Sequence, residues 1–184
     1  MITRKEALEI LKKHVPNENL QKHCFACEVV MQSLAKELGE NEQIWGLAGL
    51  LHDIDYTETM DDPQMHSLVA VKILQNLDLS EEIIYAVKVH NEIHGLPRRS
   101  LLDKALYAVD PMTGLIVAAA LIKSEKKLNA IDVSFVMKRF AEKSFAKGAN
   151  REQIETCSEL GLSLEEFLSL GLKAMQSIDK KLGL

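Results

Sequence analysis

Apolar residues recur every three or four positions along most of the chain, and no stretch alternates polar and apolar residues long enough to suggest a sheet. The pattern predicts an all-α protein. Thr3 followed by Glu6 is a capping-box pair ahead of Ala7, Leu8, Ile10 and Leu11, and Pro16 closes this first helix. A second helix starts near Asn17, carries Leu20, Cys24, Cys27, Met31, Leu34 and Leu38 on one stripe, and stops at Gly39. From Asn41 a third brings Ile44, Leu47, Ala48 and Leu51 up to a His52-Asp53 doublet. The polar stretch from Thr57 to Gln64, with Asp61-Asp62-Pro63 inside it, reads as a loop at the mouth of a site. A fourth helix is expected to open with His66 and run to Leu77, and a fifth, capped by Ser80, to end near His90. Ser100 with Asp103 caps a helix that reaches Asp110, where Pro111 is expected to break or bend it. Asn150 with Gln153 and Ser163 with Glu166 mark two later helix starts, with Gly161 between them.

No repeat, low-complexity tract or Pro/Gly/Ser-rich linker divides the 184 residues, of which 47% are apolar. Such a chain can bury about 70% of its unfolded surface in one core. The expectation is a single domain over residues 1–184, with its motif-bearing part at about 20–120 and helices over 131–184 packed on it as a lid or buttress. Phe135, Met137 and Phe140 then belong to the core rather than to a base-stacking platform.

A net charge of −5 argues against a nucleic-acid clamp, which needs a basic face, but leaves small charged substrates open. The longest uninterrupted apolar run, Leu115 to Ile122, is shorter than the roughly 20 residues of a membrane span. The first six residues lack the apolar core of a signal peptide, and three cysteines fit a reducing compartment, so a cytoplasmic location is expected. Cys24 and Cys27 lie within a helical stripe with no second cysteine pair, which favours core packing over a zinc or redox motif.

The chemistry-bearing residues come in one order: His23, His52-Asp53, His66, His90 and Asp110. Neutral imidazole and ionised carboxylate are the ligands that divalent transition metals take. An aspartate beside a histidine ligand can bridge two metals with its two oxygens, while the histidine binds only one.

These stretches, Gln-Lys-His23-Cys, Leu-Leu-His52-Asp53-Ile-Asp-Tyr, His66-Ser-Leu-Val, His90-Asn-Glu-Ile-His and Ala-Leu-Tyr-Ala-Val-Asp110, resemble the HD-domain metal-dependent phosphohydrolases, in particular the HDIG-like subfamily with extra histidines. The resemblance implies a first metal held by His23, His52, Asp53 and Asp110, and a second held by His66 and His90, with Asp53 bridging. It also implies divalent transition metals (Fe, Mn, Ni, Co or Zn) and hydrolysis, by metal-activated water, of a phosphate ester or anhydride of a nucleotide or similar small molecule. Glu92 and Asp55 are candidates, with Asp53, for catalytic work: orienting a histidine's other nitrogen or moving a proton. The chain departs from the pattern where the subfamily has two consecutive histidines and it has His90-Asn91; His94 can substitute if the helix continues. It departs again at Tyr56, where many relatives carry a lysine facing substrate phosphate, a part for which Arg98, Arg99 and Lys104 are candidates. Two other readings stay open: a di-iron oxygenase on the same fold, and a catalytically silent ligand-binding module. The oligomeric state is left open.

Overall fold

The computed structural model describes residues 1–184 and contains helices and turns with no strand. Helix α1 spans Arg4–His14, α2 Glu18–Leu38 and α3 Glu42–Leu51; α4 is a single turn at Tyr56–Thr59. Helices α5 (Leu68–Leu74) and α6 (Glu81–His90) lead through a 3-10 turn at Glu92–His94 to α7 (Leu101–Leu121). The C-terminal part holds α8 (Val133–Ala141), α9 (Arg151–Glu155), α10 (Leu164–Gln176) and α11 (Asp179–Leu182). The caps follow their sequence signals. Thr3 with Glu6, Ser100 with Asp103 and Ser163 with Glu166 form reciprocal capping boxes, and Gly39 ends α2 in the left-handed region.

One apolar core runs through the chain from Ala7 to Leu182. Helix α7 is its axis, touched by α2, α6, α8, α9 and α10. The C-terminal helices thus pack on the motif-bearing part, and Phe140 is buried in the core with Phe135 and Met137 against it. By length and composition α7 is apolar enough to cross a membrane, yet two thirds of its most apolar window, 67%, is buried inside the protein. Its hydrophobicity is that of a core helix.

Pro111 neither breaks nor ends α7, which continues for ten further residues to Leu121. A proline removes the N–H that would bond the carbonyl four residues back, here that of Tyr107. Gln153 Nε2, from α9, donates to that carbonyl at 2.7 Å and fills the gap. Asn150 accordingly caps α9 on Gln153 N–H, but the Gln153 side chain is occupied elsewhere and no reciprocal box forms. A second difference lies at His66. The fourth helix was expected to begin there, but α5 begins only at Leu68 and stops at Leu74. Ser67 before it adopts a left-handed φ of 69°, which turns His66 out of the helix axis. The polar stretch after Asp53 is likewise not all loop, because α4 occupies its start.

Helices α2 and α3 form the most extensive helix pair, and a glycine sets how closely they approach. A Cβ on Gly49 would lie 2.8 Å from the Cys27 carbonyl carbon and oxygen and 2.9 Å from the Glu28 nitrogen. Only a hydrogen fits there. Buried Glu28, one residue further along α2, is held by Arg4 of α1, whose Nη2 donates to Glu28 Oε2 at 2.7 Å. Gly49→Ala should therefore cost about 1–3 kcal/mol of stability by forcing α3 off α2. A denaturant titration of the variant beside wild type measures the loss.

Candidate metal centre

His23 projects from the second turn of α2, and His52 caps the C-terminus of α3 with Asp53 directly after it. His66 stands in the turn before α5, His90 is the last residue of α6, and Asp110 lies midway along α7. The five elements converge. His23 Nε2 lies 3.2 Å from His52 Nε2, 3.1 Å from Asp110 Oδ1 and 3.6 Å from Asp53 Oδ2. His52 Nε2 lies 3.5 Å from the same Asp53 oxygen and 3.8 Å from Asp110 Oδ1. On the other side, Asp53 Oδ1 faces His66 Nε2 at 3.4 Å and His90 Nε2 at 3.6 Å, and those two nitrogens are 3.1 Å apart. Asp53 thus turns one carboxylate oxygen to each histidine pair.

Each of the four rings is fixed from behind. His52 Nδ1 donates to the Gly49 carbonyl at 2.9 Å and His90 Nδ1 to the Val87 carbonyl at 2.6 Å. Both histidines sit at helix C-termini, where the last carbonyls have no helical partner, so each ring takes up the carbonyl three residues back. His66 Nδ1 donates to Asp55 Oδ1 at 2.9 Å. Thr113 donates its hydroxyl hydrogen to the Asp110 carbonyl at 3.0 Å, leaving its oxygen to accept from His23 Nδ1 at 3.1 Å. With every Nδ1 carrying the proton, the four Nε2 lone pairs point into the space between the rings. That is the tautomer a metal ligand needs.

Electrostatics point the same way. Burial pushes the Asp53 and Asp110 carboxyls up, but the surrounding histidines outweigh it and hold both well below the usual carboxylate range. Burial likewise pushes His52 down, yet the charges of Asp53 and Asp110 prevail and hold its ring up to about 9. The cluster therefore attracts positive charge. Donors around one ion with metal–ligand bonds of about 2.0–2.2 Å lie roughly 3.0–3.4 Å apart, close to the 3.1–3.8 Å separations here. The donor set, imidazole nitrogens with carboxylate oxygens, fits divalent transition metals. Three overlapping groups, His23-Cys27-His52, His52-His90-Asp110 and Asp53-His66-His90, each have donor atoms close enough together to hold an ion.

Cys27 lies at the edge of this arrangement, its Sγ 3.7 Å from His23 Nε2. Full burial, helped by the Asp110 charge, pushes its thiol well up, so it stays protonated and packs as core. Asn91 and His94 do not enter the cluster, because α6 ends at His90 and the chain turns away through Asn91. Asn91 Nδ2 donates to the carbonyls of Pro63 and His66, and His94 Nε2 to the His66 carbonyl at 2.9 Å. Together they latch the turn that presents His66. Tyr56 sets its ring edge-on to that of His66, with centroids 5.4 Å apart.

Asp55 orients His66, while Glu92 backs none of the four rings; its Oε2 accepts from the Tyr107 hydroxyl at 2.6 Å. Burial, followed by that bond to Glu92, pushes the Tyr107 phenol up to about 12. The three cations suggested for substrate phosphate lie against other side chains. Arg98 stacks 3.7 Å from the Tyr107 ring centroid, Arg99 lies over Tyr85 and Lys104 pairs with Glu159 at 3.4 Å. Thr113 escaped the sequence reading, although its place one helical turn after Asp110 is a usable signal.

The chain matches the HD domain over residues 20–155 and belongs to that family, whose members bind divalent metals at such clusters. It is a hydrolase fold with the matching donors in place. Among curated proteins it is similar to ribonuclease Y of Desulfotalea psychrophila, 24% identical over 168 residues that make up 90% of this chain and 32% of that protein. It is also similar to ribonuclease Y of Symbiobacterium thermophilum, 29% identical over 142 residues covering 73% of this chain and 26% of the relative. The chain spans about a third or less of the length of these relatives.

Asp55 carries more than its histidine. Its Oδ2 accepts from the backbone N–H groups of Ser67 at 2.8 Å and Ala70 at 2.9 Å, so one buried carboxylate caps α5 and aims His66. Asp55→Ala leaves those donors unpaired, and a stability loss of about 2–4 kcal/mol is expected from chemical denaturation.

Proposed function

We propose that this chain is a metal-dependent phosphohydrolase that uses two divalent transition-metal ions to hydrolyse a phosphate ester or anhydride of a nucleotide or similar small molecule. The single observation behind the reading is Asp53, whose two oxygens face separate histidine pairs 3.4–3.6 Å away. His23, His52 and Asp110 would complete one site with Asp53, and His66 and His90 the other. A metal pair so held supplies an activated water at neutral pH and neutralises charge on the phosphoryl oxygens. The protein's own part is positional. Gly49, Val87, Asp55 and Thr113 hold the four Nδ1–H groups and fix the rings in direction, so each Nε2 faces the site and would need little reorganisation when substrate arrives. No side-chain nucleophile is required.

A second reading, hydrolysis of an RNA phosphodiester, is favoured by the name ribonuclease Y carried by the similar proteins. The reacting group is the same in both. The net charge of −5 favours the small substrate, since an RNA strand needs a basic face.

Protein purified without chelator should carry close to two equivalents of transition metal by elemental analysis and release phosphate or nucleoside from a nucleotide panel. Asp53→Ala should lose both metals and fall to background turnover. If protein saturated with Mn²⁺, Fe²⁺, Co²⁺ or Ni²⁺ cleaves no nucleotide, dinucleotide or oligoribonucleotide, the proposal is wrong. Cleavage of the oligoribonucleotide alone would favour the second reading. Substrate-dependent O₂ uptake by the iron-loaded protein would favour an oxygenase.

A further inference from the structure

The donor cluster is sealed on one side and open on the other. His52 and Asp55 side chains are fully buried, whereas those of His23 and Asp110 keep 23% and 30% of their surface. Beside His23 lies a cavity of about 420 Å³ between α2, α7 and the C-terminal turn after α11. His23 and Thr113 belong both to its wall and to the metal centre. Ala26, Val117, Leu121 and Leu182 supply much of the rest. Lys22 completes it. The Lys22 ammonium lies beside Gly183 and makes no ion pair or hydrogen bond with the protein.

An apolar hollow of this size joined to a metal centre falls within the range of small-molecule sites. A groove for single-stranded nucleic acid follows a strand with several cations and aromatic platforms. No Phe, Tyr or Trp side chain lines this cavity, and it offers one free ammonium. We infer that the cavity seats the organic group, of single-nucleoside size, of the substrate hydrolysed at the metal centre, and that Lys22 meets the negative charge of that substrate. The inference rests on the phosphohydrolase reading and adds to it the size of the substrate and the cation that recognises it.

The test compares inorganic phosphate, which needs only the metal centre, with the four ribonucleoside 5′-monophosphates, which also fill the cavity. Binding to the metal-loaded protein is measured by calorimetry. At least one nucleotide should bind tenfold or more tighter than phosphate. Val117→Trp, which fills the cavity, and Leu121→Trp at its exposed rim should each abolish that advantage, with metal content at the wild-type level by elemental analysis. Lys22→Gln should weaken the nucleotide threefold or more. Phosphate and all four nucleotides binding wild type equally would overturn the inference, as would a nucleotide advantage that survives both tryptophans and Lys22→Gln. Either result leaves the phosphohydrolase reading standing. Absence of any phosphate binding, with no turnover, removes both.

Discussion

Four imidazole lone pairs and two carboxylates share one small interior space, and the rest of the molecule is arranged to keep them there. Left to themselves such groups repel. His23 and His52 approach to 3.2 Å, and His66 and His90 to 3.1 Å, nitrogen to nitrogen. With each Nδ1–H committed to an oxygen behind the ring, the facing nitrogens can be reconciled only by a cation or a proton between them. The histidine and carboxylate pKa directions express that demand in protons, and divalent ions satisfy it with ligand bonds.

Holding the cluster takes rigid elements at close quarters. The Gly49 contact lets α3 lie directly on α2, and that approach sets His52 against His23. Across the site, Asp55 ties the turn before α5 to the end of α3, while Asn91 and His94 clamp the same turn from the segment after α6. Helix α7 supplies Asp110 and Thr113 from one turn and passes unbroken through Pro111 because Gln153 takes up the freed carbonyl. The C-terminal helices therefore support the metal centre through the backbone of α7 without contributing a donor to it.

Some residues that looked chemical in the sequence do mechanical work in the structure. Asn91 and His94 stand one and four residues after His90, close enough to suggest ligands, but the extended backbone at Asn91 sends them to carbonyl groups. Glu92 is drawn to Tyr107, and Arg98 covers that ring in turn. Their proximity along the chain carried no direction, because a single backbone turn decides which way a side chain leaves.

Much of the fold was legible beforehand, because helix periodicity and capping boxes act over three or four residues and are written locally. The caps at Thr3, Ser100 and Ser163, the stop at Gly39 and the helical class all follow from neighbours in sequence. The order of His23, His52-Asp53, His66, His90 and Asp110 named the residues that the fold brings together, since those side-chain types are the ones that can serve metals in any fold. What local rules could not supply was which oxygen of Asp53 faces which ring, what backs each Nδ1, and which cation stands beside the cavity next to His23. Those are relations between residues up to 90 positions apart, as Thr113 and His23 are, and only the packing of α2, α3 and α7 brings them within hydrogen-bonding distance.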